Sequence, residues 1–353
     1  MELNTPCNRA MYYSDSLATR NHYRPLTVPF WDAYFVGMKI RSLLCLLATV
    51  WAGLQPAVAK SRESTIRVLI VDGFSNHDWQ QTTGLLRGIL EAAGGFEVSV
   101  STMPPVGSTA WAAWRPRFAD YDVVIQTCND NGDNGLLEGV QQKPEWPLPV
   151  KADFEAYVRR GGGVYIFHAA ENAFVGWKAY EEMVGLCWRT ADYGTAIQIT
   201  SSGETERIPP GVGRDTGHGP RGDVFVTRLG DDPIHAGMPY AWRSPDLEVY
   251  YYARGPADRL RVLAFARDSD PGLGMLWPVE WTTEFGKGRV YVSTYGHVWP
   301  GDVQPPSMRD AAAQTIIPRA LQWLARRPVT YPVPQDFPTA DTVSVRGEVA
   351  VPK

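Results

Sequence analysis

The sequence predicts an α/β fold built on a mainly parallel sheet, and three observations carry that reading. First, Gly161-Gly162-Gly163-Val164-Tyr165-Ile166-Phe167-His168-Ala169-Ala170 reads as a glycine turn, a short apolar strand and a sharp exit into small residues. A strand that is apolar without alternation suits a parallel sheet covered on both faces. Second, residues 66–100 read as strand, helix, strand. Third, residues 121–160 repeat the plan, with a strand, a polar loop and a helix that leads into the central glycines.

Taken in order, the chain opens on a stretch without a clear period. Residues 1–37 read as an over-extended N-terminus. Met38 then opens a leader pattern of Lys39 and Arg41, an apolar run from Leu43 to Leu54, and Ala57-Val58-Ala59. A charged start, a short apolar core and an A-x-A end describe a signal peptide, here residues 38–59, with cleavage after Ala59. The run is shorter than the ~20 residues that span a bilayer, so no stable membrane span is expected after cleavage. The expected location is periplasmic or secreted. A real N-terminal extension with an anchoring helix is the alternative.

The remaining 294 residues carry 29 basic and 35 acidic side chains, a formal charge of −6. No basic stripe remains, which argues against a nucleic-acid partner. Cys128 and Cys187 remain, and both lie in or beside apolar segments, the setting of buried free thiols.

Residues 66–73 form a β-rich run that ends in a turn, and Asn76-His77-Asp78-Trp79 follows. Leu85, Leu86, Ile89, Leu90 and Ala93 then share one stripe at helical spacing, and Gly94-Gly95 stops the helix. Residues 96–100 return as a strand. Residues 121–127 form the next strand, which ends in the polar loop Cys128–Gly132. Right-handed crossovers bring His77, this loop and His168 to one edge of the sheet. His168 occupies a strand-to-helix elbow of the kind that holds a nucleophile in glutamine amidotransferases and α/β-hydrolases. An imidazole in place of Cys or Ser there argues against a glutaminase.

After the elbow, residues 195–200, 223–227, 247–253, 261–266, 275–282 and 289–294 read as short strands. A glycine- and proline-rich loop, 203–222, holds Arg214, Asp215 and His218, and its length suits a binding loop or lid. Gly286-Lys287-Gly288 reads as a hairpin turn. A last helix is expected over 308–326 with a kink at Pro318. Residues 328–353 hold five prolines and read as a Pro-rich tail, packed or loose, after a domain at 60–327.

His77, the 161–168 run, Trp188-Arg189-Thr190-Ala191-Asp192-Tyr193-Gly194, Gly217-His218-Gly219-Pro220, Pro233-Ile234, the 285–290 run and Gly296-His297 occur in that order. Together they resemble the trehalose-utilisation (ThuA-like) family over about residues 66–326. The resemblance implies a flavodoxin-like or class I glutamine amidotransferase-like three-layer sandwich with additional β-hairpins. It also implies a role in carbohydrate catabolism, beside oxidoreductases that make 3-keto sugars. One departure stands out: Asp232 precedes Pro233 where the family often has histidine, and His235 follows Ile234.

The candidate catalytic residues are His168, His77, Glu248, His297 and Arg189. Trp188, Asp192, Tyr193 and His218 are the candidate substrate contacts. Two chemistries fit. In one, His77, His168 and His297 with a carboxylate bind a divalent metal such as zinc. In the other, histidine and Glu248 move protons on a keto sugar while Arg189 steadies the enediolate. The sequence is rich in Trp and Tyr, whose flat faces suit a small-molecule carbohydrate. A carbohydrate-binding accessory protein without turnover, and a thiol hydrolase using Cys128, stand as alternatives. Homo-oligomerisation is left open.

Overall fold

A computed structural model describes residues 65–352. The readings of 1–37 and of a signal peptide at 38–59 lie outside the described residues. The first half runs β1 (Ile66–Asp72), α1 (Trp79–Ala93), β2 (Phe96–Thr102), α2 (Thr109–Ala113), β3 (Val123–Gln126), α3 (Leu148–Arg159), β4 (Gly163–Phe167) and α4 (Lys178–Val184). The second half is mostly strand: β5 (Thr195–Ile199), β6 (Thr205–Ile208), β7 (Gly217–His218), β8 (Gly222–Arg228), β9 (Ala241–Leu247), β10 (Tyr250–Tyr251), β11 (Arg254–Gly255), β12 (Arg261–Arg267), β13 (Leu276–Phe285) and β14 (Gly288–Ser293). Two helices follow, α5 (Pro306–Arg309) and α6 (Ala311–Leu324).

The strands β2-β1-β3-β4-β14 lie side by side and all parallel. This is the flavodoxin-like order, in which ligands bind beyond the carboxyl ends of the strands. Beyond β14 the sheet turns antiparallel through β13, β12, β8 and β9, while β5 pairs with β13, β6 and β11. The pleat sorts the core into two layers. Val68, Ile70, Tyr165 and Tyr291 pack with Leu85, Leu86, Ile316 and Ile317 of α1 and α6. Leu69, Val71, Val164, Ile166 and Val292 pack with Phe154, Tyr157, Tyr180 and Met183 of α3 and α4. Each such side chain contributes about 1.5–3 kcal/mol when fully buried, so the continuous apolar runs are what a sheet between two helical layers requires.

Local chemistry sets the ends of the elements. Asp78 caps α1 by accepting the Gln81 N–H at 3.0 Å. Gly162 and Gly163 admit close neighbours, since a Cβ on Gly162 would lie 2.3 Å from the Tyr157 ring. The expected single helix over 308–326 is divided. Asp310 leaves the helical region, and its carboxylate caps the Ala312 N–H at 2.9 Å, so α6 starts afresh. Pro318 sits inside α6 without ending it.

The expected strand at 247–253 is also corrected: β9 ends at Leu247 and only the short β10 and β11 follow. Pro245 lies inside β9, which a strand at the edge of the sheet tolerates. The described tail lies against the domain. Val345 bridges Asp310, Gln304 donates to the Val349 carbonyl at 2.9 Å, and Ala350 passes Gly88 too closely to admit a Cβ there. Among the described residues, no helix is long and apolar enough to cross a membrane.

His235 lies in the core rather than beside the other histidines. Its Nδ1 is 2.9 Å from Asp232 Oδ2 and its Nε2 is 3.0 Å from Glu280 Oε2, with all three side chains buried. Burial pulls the imidazole down, but Glu280 and Asp232 outweigh it and push its pKa up to about 10. The residue is a buried cation between two carboxylates.

Candidate active site

Three strand ends converge. His77 follows β1, His168 follows β4 and His297 follows β14. Glu248 joins them from the end of β9. One donor atom from each of the four lies within 4.8 Å of all the others.

Each ring is held from behind. His77 Nδ1 lies 2.8 Å from Asn76 Oδ1, which also accepts from Asn129 Nδ2 at 2.7 Å. His168 Nδ1 lies 2.8 Å from the Thr294 carbonyl oxygen. Both imidazoles therefore donate through Nδ1 and turn an unprotonated Nε2 into the cluster, that of His168 lying 3.4 Å from the Tyr250 hydroxyl. Those two Nε2 atoms are 3.3 Å apart. His168 has φ +48°, a left-handed conformation that turns its side chain off the strand axis into the cluster. Gly296 has φ +92°, and a Cβ there would lie 2.1 Å from the Phe167 ring, so only glycine lets the chain turn as it does before His297.

Three imidazole Nε2 atoms lie close to the two oxygens of Glu248. His168 Nε2 is 3.8 Å from Oε2, while His297 Nε2 and His218 Nε2 are 3.4 and 3.5 Å from Oε1. The β7–β10 pairing sets His218 opposite Tyr250 at the rim. Burial, with neighbouring histidines and Arg221, lowers His77 to about 3 and His297 to about 2. Burial and His77 likewise hold His168 well below its ordinary range. The buried rings are neutral, the form that ligates metals. Burial raises Glu248, against the pull of His218 and Arg221.

A cavity of about 180 Å³ opens beside the cluster, lined by His77, Asn129, Glu171, Trp188, His218 and Trp299 among others. Trp188 packs edge-on to His218 and Tyr250, with ring centroids 5.7 and 5.2 Å away. Trp299 is 46 % exposed and stacks on His297.

The sequence reading missed Glu171, on the short turn after His168. Both of its carboxylate oxygens are buried, and burial, against the Arg189 charge and the Trp188 backbone N–H, pushes its pKa up to about 8. A carboxyl raised in the folded state is stabilising in its protonated form below the unfolded value near 4.5, and folding stability then falls as pH rises through 8. Glu171→Gln is therefore expected to flatten the loss of stability between about pH 4.5 and 8, by a few kcal/mol in order of magnitude, as read by urea melts across that range. An unchanged pH profile would show the group to be ionised in the fold.

Arg189, Asp192 and Tyr193 are not brought into the cluster. The Arg189 guanidinium is buried, donating to the Asn172, Ala173 and Trp188 carbonyls at 2.8, 3.0 and 2.7 Å, with Glu181 3.7 Å away. It braces the loop under the cavity, and those carbonyls take the donors an enediolate would need. Asp192 is exposed and accepts from Thr190 at 2.7 Å. Tyr193 packs against Lys178 and Arg189. Cys128 is wholly buried, and burial and Asp72 push its thiol well above the ordinary range, which argues against a thiolate nucleophile. Among the described residues Cys128 and Cys187 are free, buried thiols.

A family model described as trehalose utilisation (ThuA) matches residues 67–324. The fold is similar to the crystal structure of a ThuA-like protein from Parabacteroides merdae, with 28 % identity, coverage of 80 % of this chain and 97 % of that one, and a TM-score of 0.71. A ThuA-like protein from Bacteroides uniformis aligns at 16 % identity over 77 % of this chain and 95 % of that one, with a TM-score of 0.45. A glutamine amidotransferase from Thermotoga maritima aligns at 10 % identity over 65 % and 75 %, with a TM-score of 0.34. No curated protein sequence matches the chain.

Proposed function

We propose that this protein, which belongs to the trehalose-utilisation (ThuA) family, acts on a sugar or keto-sugar derivative at a divalent-metal centre built on His77, His168 and Glu248. The observation that carries the metal is the pair of unprotonated Nε2 atoms 3.3 Å apart. Two lone pairs turned on each other repel, and a shared cation turns that repulsion into attraction. The rear hydrogen bonds to Asn76 and Thr294 are the partners that orient metal-ligating histidines. Neutral imidazole and carboxylate suit zinc.

A bound divalent ion would polarise a carbonyl or hydroxyl oxygen and ease proton loss beside it. The chain's own groups do the rest. The exposed face of Trp299 and the edge of Trp188 offer surfaces for a pyranose ring. Asn129 and Glu171 offer hydrogen-bonding groups for hydroxyls, and His218 with Glu248 can hold a proton at the cavity rim. Arg189 has no part in this scheme beyond bracing the loop. The leader pattern at 38–59 supports export, so the proposed place of action is the periplasm or the cell exterior.

The test is turnover of a 3-keto glucoside and its parent glucoside by untagged protein, before chelation, after chelation and after zinc is restored. Conversion that is lost with the metal and returns with zinc is the expected result. Conversion by verified metal-free protein would overturn the metal in favour of acid–base work alone. Measurable binding with no conversion would make the protein a carbohydrate-binding accessory.

A further inference from the structure

We infer that His297 is the hydrogen-bond donor of this site and not one of its metal ligands, and that Arg221 is the positioning residue that fixes it in that role. The inference rests on the metal reading above and divides the four clustered side chains into two classes.

A neutral imidazole has one N–H and one lone pair, so a partner that can only accept, or only donate, settles which nitrogen carries the proton. At His77, His168 and His218, Nδ1 faces an oxygen: Asn76 Oδ1 at 2.8 Å, the Thr294 carbonyl at 2.8 Å and the Gly219 carbonyl at 2.7 Å. The two buried rings, His77 and His168, carry the proton on Nδ1 and leave Nε2 unprotonated. His297 is the reverse. Its Nδ1 lies 2.7 Å from Arg221 Nη1, and a guanidinium can only donate. The lone pair of His297 is spent on Arg221, and Nε2 carries the hydrogen, 3.4 Å from Glu248 Oε1.

The guanidinium is itself anchored. Arg221 Nη1 lies 3.3 Å from both Asp246 Oδ1 and Asp302 Oδ2. Asp302 Oδ2 also accepts the Trp299 N–H at 3.0 Å. Asp246 sits at φ +53°, an uncommon conformation for a residue other than glycine, two positions before Glu248. One brace therefore ties Arg221, Trp299 and the chain leading to Glu248 to the orientation of a single imidazole.

This division gives the site a chemical asymmetry. His77, His168 and Glu248 make three protein ligands, the number that leaves a catalytic metal an open position. His297 Nε2–H then faces the same space as a neutral donor. A neutral imidazole donating to a substrate oxygen is an established way to stabilise developing negative charge.

Two readouts on the full chain test it. Side-chain ¹⁵N NMR on metal-free protein should show His297 protonated at Nε2, and Arg221→Met should shift it toward the Nδ1–H form or a mixture. Zinc binding should weaken in His297→Ala by no more than the ~10–100-fold an outer-shell partner is worth, and by more than that in His168→Asn. His297→Gln, which keeps a donor, should recover part of the kcat lost in His297→Ala. An Nδ1-protonated His297 in the wild type, or zinc loss in His297→Ala as deep as in His168→Asn, would overturn the inference. If the wild type binds no zinc at all, the metal reading fails and the NMR tautomer alone decides the role of Arg221.

Discussion

Asparagine in place of His168 is expected to remove zinc retention and turnover together while the fold survives. His168 sits at φ +48°, and asparagine is among the few residues that adopt that region readily. Alanine would add about 1–2 kcal/mol of backbone strain and blur the result. The variant deletes one of the two imidazoles whose unprotonated Nε2 atoms face each other. Zinc affinity should fall by more than ~100-fold, beyond what an outer-shell partner costs, and kcat/KM by at least ~10²-fold. Calorimetry with zinc and a circular-dichroism melt of the same preparation separate lost ligation from lost folding. A folded variant with unchanged turnover would remove His168 from the mechanism.

The largest expected effect on stability comes from His235→Ala. It leaves Asp232 and Glu280 as buried carboxylates without their shared cation, and breaking such a set typically costs about 3–5 kcal/mol. The pH dependence has a definite sign. The folded-state value is raised from 6.5 to about 10, so the stabilisation is fully present below about 6.5 and is lost as pH rises through 10. Denaturant melts of the wild type should show this decline, and melts of the variant should lack it. Equal melts at pH 6 would contradict the buried cation. Turnover of the surviving folded fraction should be near normal, because His235 belongs to the core and not to the cluster.

The two cases differ in how far the sequence could reach them. The parallel strands were legible because both faces are buried, which makes 66–72 and 163–167 apolar almost throughout. The shared edge of His77 and His168 followed from handedness, since right-handed crossovers put the carboxyl ends of successive parallel strands on one edge, and His297 was legible as a residue that follows a strand. Glu248 was named for its chemistry but read inside a strand. Pro245 disguised β9, so the strand end that presents Glu248 was hidden. Arg189 was misread because a motif gives a residue's place and not the direction of its side chain; the carbonyls of Asn172 and Ala173 decide that. Arg221 and Glu171 left no sequence signal of their role. Arg221 reaches His297 across 76 positions, and Glu171 matters only because the packed structure buries its carboxyl fully.

The most direct test of the metal centre is elemental analysis of the protein purified without a histidine tag after expression with zinc supplied. A double variant, His77→Ala with His168→Asn, verified as folded, serves as the reference. The wild type should hold close to one divalent ion per chain and the variant none. A folded wild type with no bound metal, or a variant that holds as much as the wild type, would contradict it.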